Sequence, residues 1–155
     1  MSDTEECEYA TKQLEAARDE AKDAKEAMEE AQAEIPPLER ALEEARAEVN
    51  IKSHEVGVAE REIEPAEQLL RDQQAMPEYY GRDRDIEQKQ EMIEEAREAA
   101  KTAGEARDEA VRDSNEALSE LDAAKAEAER RASEYRSAAE REANWQQRAD
   151  EVCKD

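Results

Sequence analysis

From Cys7 onward an apolar residue returns at every seventh position: Cys7, Leu14, Ala21, Met28, Ile35, Leu42, Val49, Val56, Ile63 and Leu70. Three residues after each stands a second, mostly alanine set: Ala10, Ala17, Ala24, Ala31, Leu38, Ala45, Lys52, Ala59, Ala66 and Gln73. Alternating steps of three and four keep both sets on one stripe of a helix, because a turn takes about 3.6 residues. Held over about ten heptads, the pattern predicts a coiled-coil arm. Pro36, Pro37 and Pro65 interrupt the backbone donors of that arm, and a proline also crowds the preceding turn. The heptad phase nevertheless runs through all three. They therefore predict kinks in one arm and not reversals of the chain.

The strongest turn signal is Met76-Pro77-Glu78-Tyr79-Tyr80-Gly81. Beyond it, Asp83 or Asp85 is expected to cap a new helix, and Asp85 with Gln88 has the spacing of a capping box. The second seam reads Ile86, Ile93, Ala100, Arg107, Ser114, Leu121, Ala128, Tyr135, Glu142 and Ala149, with companions Lys89, Ala96, Ala103, Ala110, Ala117, Ala124, Arg131, Ala138, Trp145 and Val152. Apolar residues also flank it: Met92, Ala99 and Ala106 on one side, then Val111, Leu118, Ala132 and Ala139 on the other. A stripe that drifts in this way is expected of a helix not wholly tuned to a 3.5-residue repeat.

Folding the arms about Tyr79 and Tyr80 sets large residues of the first arm against alanines of the second. Leu42 meets Ala117, Val49 meets Ala110 and Val56 meets Ala103, while Leu14 meets Trp145; such size complementarity lets helix axes approach closely. The predicted fold is all-α, a long antiparallel coiled-coil helical hairpin kinked at Pro36-Pro37 and Pro65. An elongated three-helix bundle, broken at Pro36-Pro37 and at 76–83, is the alternative. One elongated helical domain is expected over 1–155, with arm one at about 3–75, the tip at 76–83 and arm two at about 84–153. At roughly 1.5 Å per residue the arms predict a rod about 100 Å long. The same register brings Cys7 beside Val152 and Cys153, which makes Cys7 and Cys153 the disulfide candidate.

Composition narrows the function more than the fold. The chain has 155 residues, 44% of them charged, with a net charge of -22 and a mean hydropathy of -1.20. So little apolar material leaves a linear seam as the only core. A charge of that sign repels phosphate backbones and anionic lipid, so neither nucleic-acid binding nor membrane insertion is expected. Dense surface carboxylate also resembles the composition of salt-adapted proteins. The first ten residues, MSDTEECEYA, are acidic and predict no signal peptide.

No catalytic residues, metal site, cofactor or small-molecule substrate are expected. The single histidine, His54, falls on the outer face of its helix, and catalysis requires groups converging in a water-excluding pocket. Recognition is expected where the pattern breaks. Met76, Pro77, Tyr79 and Tyr80 put apolar and aromatic surface at the bend, and such residues are enriched in interface cores. Ile51 and Val58 point outward from a β-branched, glycine-containing stretch over 49–58. Here Lys52 is expected to face Arg107 across the seam, a weak waist unless glutamates compensate. Partners are therefore other proteins or further copies of the chain.

The expected function is a non-enzymatic structural or assembly protein, a virion or cell-surface spacer, spike or brace. A receptor-binding or secreted hairpin module is the first alternative, and a cytosolic or viral assembly scaffold the second. In outline the hairpin resembles the receptor-binding hairpins of colicin-type bacteriocins, which carry contacts near the bend. It lacks the Trp-x-Gly bend of small secreted hairpins, since its bend reads Tyr79-Tyr80-Gly81 and its only tryptophan is Trp145. An oxidised Cys7–Cys153 pair places the protein in a virion or outside the cell, and free thiols place it in the cytoplasm.

Overall fold

A computed structural model describes residues Ser2–Lys154. It contains four helices, α1 (Asp3–Ala33), α2 (Ile35–Arg61), α3 (Ile63–Ala75) and α4 (Arg82–Val152), and no strand among the described residues. The chain is an all-α helical hairpin. α1, α2 and α3 form one bent arm and α4 the other, so the elongated three-helix bundle is not adopted.

Each interruption of the first arm follows from a proline. The α1–α2 break is the single residue Glu34, after which Pro36 and Pro37 occupy the first turn of α2. A first turn has no intrahelical partner for its N–H groups, so a missing donor costs little there. Pro65 lies likewise in the first turn of α3, and Glu62 forms the break before it. Glu34 and Glu62 turn their N–H groups to Ala31 and Ala59, at 3.3 Å each. A residue donating three positions back tightens the turn without reversing the chain.

The seam survives these breaks. Every position of the two predicted seams, from Cys7 to Gln73 and from Ile86 to Val152, is buried or half-buried. The chain start is fixed by a capping box, with Ser2 Oγ accepting from the Glu5 N–H and Glu5 Oε2 accepting from the Ser2 N–H, both at 3.2 Å. At the second arm the expected cap is replaced. α4 begins at Arg82, directly after Gly81, and neither Asp83 nor Asp85 stands before its first turn. Gly81 has φ 88°, a left-handed conformation that glycine adopts without steric cost. The Asp85 carboxylate instead accepts from the Tyr79 hydroxyl at 2.5 Å.

Contacts divide the chain into two compact units, Met1–Arg40 with Ser119–Asp155, and Ala41–Leu118. The first, which holds both chain ends, is sealed chiefly by small residues: Ala10, Ala17, Ala21, Ala31, Ala128, Ala138 and Ala149 are buried, together with Leu14 and Leu121. The second, which holds the bend, buries fewer: Leu42, Val56, Ala66, Ile93 and Ala110. No large side chain among the described residues is completely buried. That is the geometric consequence of two helices sharing one line of contact.

Candidate functional site

Four surfaces of this fold are distinguished by their side chains. The first is the end that carries Cys7 and Cys153. Helical phase puts Cys7 on the seam of α1, and Cys153 directly follows α4, where its N–H still donates to Ala149 at 2.9 Å. The two Cα atoms are 5.0 Å apart, a disulfide distance, inside the usual range for a bridged pair. Beside them Ala10, Leu14 and Ala149 form a buried cluster against which Trp145 and Val152 pack. Tyr9 meets Trp145 edge to face, centroids 5.9 Å apart, a geometry that ring quadrupoles favour. Arg18 then reaches across to Gln146 at 2.6 Å and Glu142 at 3.8 Å, and Arg141 reaches Glu20 at 3.5 Å. These ion pairs are exposed, so each contributes at most about 1 kcal/mol.

At the bend, the four residues expected to act together are separated into two kinds. Tyr79 is tied down: its hydroxyl donates to Asp85 and accepts from the Gln73 amide. The hydrogen bond to Asp85, with burial and the Asp85 charge adding to it, raises the Tyr79 pKa above the ordinary 10.0. Arg82 completes the latch by donating to the carbonyls of Met76 at 3.1 Å and Gln74 at 2.8 Å. Tyr80 is the opposite case, with its whole side chain in solvent, and Met76 is half exposed. Pro77 lies between them in exposed, irregular chain. Tyr79 thus holds the bend closed, and Tyr80 is the ring presented outward.

The waist is where charge meets the seam. Lys52 is flanked by Glu55 at 3.4 Å and Glu48 at 3.6 Å, and Arg107 by Asp108 at 3.7 Å. Glu55, through its hydrogen bond and then its charge, raises the Lys52 pKa above 10.5. Each cation is therefore compensated along its own helix and not by the opposite arm. Gly57 and Gly104 sit in continuous helix. A Cβ at Gly104 would meet nothing within 4 Å, so no close approach demands that glycine.

A lateral groove in the bend-bearing unit is the fourth surface. Three heptad-spaced rows line it: Val58 and Pro65; Glu62 and Leu69; and Met92, Ala99 and Ala106. Open hollows of about 600, 370 and 360 Å³ lie along these rows. The first two share Glu95 and Ala99, and the last two share Glu62 and Pro65, so the hollows adjoin one another, the third lined by the first arm alone. The outward exposure of Ile51 and Val58 was legible from their register. The groove itself was not, because it requires the rows of both arms to lie on the same side.

Sequence reasoning also missed Ser2, Tyr9 and Arg18. The Ser-x-x-Glu spacing of Ser2 and Glu5 was a usable signal, whereas Tyr9 and Arg18 lie outside the seam and gain meaning only from the opposite helix. Among the described residues no helix is long and apolar enough to cross a membrane. None of their His, Cys, Asp and Glu side chains cluster in a set able to hold a metal. Comparison with protein-family models, with characterised proteins and with solved structures finds no match for this chain.

Proposed function

We propose that this chain is a non-catalytic structural component of an assembly, a virion or cell-surface spacer, spike or brace. Its contacts with other proteins are made through residues 41–118, and its chain ends are clasped by a Cys7–Cys153 bond. One observation carries the reading. Every exposed large apolar side chain among the described residues lies within Ala41–Leu118, with the single exception of Tyr9, and Tyr9 is engaged with Trp145. Scattered exposed apolar residues need no explanation, but their confinement to one part of an otherwise carboxylate-covered surface marks contact. The Cys7–Cys153 geometry supports an oxidising location, since such bonds persist chiefly outside reducing compartments. A net charge of -22 leaves nucleic acid and anionic membrane as poor partners.

Tyr80 favours a second reading, a receptor-binding module that works through its bend. An exposed tyrosine offers a large, amphipathic contact at small entropic cost, as at interface hot spots. Free thiols at Cys7 and Cys153 would favour a cytosolic or viral assembly scaffold instead. The test is to isolate the native chain under alkylating conditions and measure its mass in non-denaturing solution. Recovery within a particle of fixed stoichiometry, with the cysteines bonded, is the expected result. A free, reduced chain would overturn the assembly reading. Tyr80→Ala then separates the first two readings: lost partner binding with an intact particle identifies the bend as the recognition site.

A further inference from the structure

The groove of residues 52–69 and 92–106 is the surface whose chemistry specifies an occupant. Its floor is apolar: Val58, Pro65, Leu69, Met92 and Ala99, of which Val58, Leu69 and Met92 are each more than 40% exposed. Its rim is acidic. Glu62, Glu95 and Glu98 line the hollows and have no ion-pair partner among the described residues, and Glu55 lines the same surface beside Lys52. The other lining cation, Arg61, is exposed and folds back along its own helix, donating from Nε to the Gly57 carbonyl at 2.9 Å. From Met92 to Ala106 the groove follows about four helical turns, roughly 20 Å.

An apolar channel of that length, bordered by unpaired carboxylates, is complementary to a helix with one apolar face and flanking Lys or Arg residues. A second copy of this chain is a poor occupant, because it brings the same large negative charge to an already negative rim. The geometry points to a partner protein that docks a basic amphipathic helix of about four turns in this groove. The apolar face of that helix covers Leu69 and Met92, and its cations pair with Glu62, Glu95 and Glu98. This rests on the assembly reading and adds to it the site and chemical class of one partner.

The probe is a labelled peptide of about 16 residues with leucines at helical spacing and lysines elsewhere, set beside a counterpart in which every lysine is glutamate. Anisotropy titrations use the full-length oxidised chain. The expected result is saturable 1:1 binding of the lysine peptide and none of the glutamate peptide. Leu69→Gln with Met92→Gln should weaken binding by more than about tenfold, since burial of two apolar side chains is lost. Glu62→Gln with Glu95→Gln and Glu98→Gln should weaken it and flatten its salt dependence. Val111→Gln with Leu118→Gln, outside the groove, should change it little.

Equal weakening by all three variants, multiple peptides per chain, or insensitivity to all of them would mean diffuse attraction to an acidic surface and would overturn the groove assignment. So would a concentration-dependent dimer abolished by Leu69→Gln with Met92→Gln, which would make a second copy the occupant. These results leave the assembly reading standing. Recovery of the native chain as a free species would sink that reading without altering the peptide measurements.

Discussion

The end that carries the chain termini and the waist around Lys52 obey one heptad rule and reach opposite results. In the first, alanines fill most of the buried seam positions, and Ala10 and Ala138 retain only 2% of their exposure. In the second, Lys52 and Arg107 occupy seam positions, glycine takes the place of a side chain at Gly57 and Gly104, and large residues such as Ile51 and Val58 lie exposed. The lesson is that periodicity places a side chain on the seam, but its size and charge decide whether the seam excludes water. Alanine seals a two-helix contact because it lets the backbones approach. A long cation at the same position must turn its charge out to the flank.

The largest expected effect lies at the termini. With the Cys7–Cys153 bond formed, the closed loop spans a sequence separation of 146, and the chain-entropy model assigns it roughly 5 kcal/mol. Urea unfolding with and without reductant should show a loss of that order. Hydrogen exchange should then accelerate first in α1 and the end of α4. An unchanged midpoint would remove the clasp from the comparison.

Next is Trp145, packed on the Ala10–Leu14–Ala149 cluster. Trp145→Ala should cost roughly 2–3 kcal/mol, below the usual figure for a fully buried tryptophan because Trp145 is only half-buried. Met92→Ala, at an exposed position in the other unit, should cost less than about 0.5 kcal/mol. Similar losses at both sites, measured by chemical unfolding, would erase the contrast between the units.

Glycine substitutions test the waist from the opposite direction. Gly104→Ala should stabilise the protein by about 0.8–1 kcal/mol, the helix-propensity difference, since the added Cβ meets no neighbour. Gly81→Ala should destabilise it by about 1–2 kcal/mol, because its φ of 88° is strained for any side chain. Thermal unfolding of the pair would show shifts of opposite sign. A loss of stability on Gly104→Ala would mean that the waist needs its glycine.

The smallest effects are titrations, and they too divide between the regions. The Arg130 hydrogen bond to Glu127, assisted by Arg131, holds that carboxyl below its ordinary 4.5. Its contribution is therefore present above the ordinary carboxylate pKa and disappears as pH falls through the lowered value. Tyr79 has the opposite sign. Held above 10.0 chiefly by Asp85, it contributes below that pH and ceases to as pH rises through the raised value. Carbon-13 titration should find the Glu127 midpoint below 4.5 and the Tyr79 midpoint above 10.0. A Tyr79 midpoint at or below its ordinary value would mean that the bend latch is open in solution.

Much of this was legible in the residues alone. Cys7, Leu14, Val56, Ile93 and Leu121 announced their seam by spacing, and the prolines announced where the first arm bends, because backbone donors and helical phase are local properties. Large-against-small register also predicts that Leu14 meets Trp145 and that Cys7 lies beside Cys153. The tyrosines at the bend were not separable in that way. Adjacent in the chain and chemically identical, Tyr79 and Tyr80 differ only because Gln73 and Asp85 converge on one hydroxyl, and convergence of two helices is a tertiary fact. The groove has the same origin: Leu69 and Met92 belong to different arms, and each alone is one more exposed apolar residue. Sequence by itself therefore determined which stripe of each helix is buried, through the 3.6-residue turn and the chemistry of its side chains. Only the tertiary structure decided which exposed residues share a surface, because that depends on the side from which two helices meet.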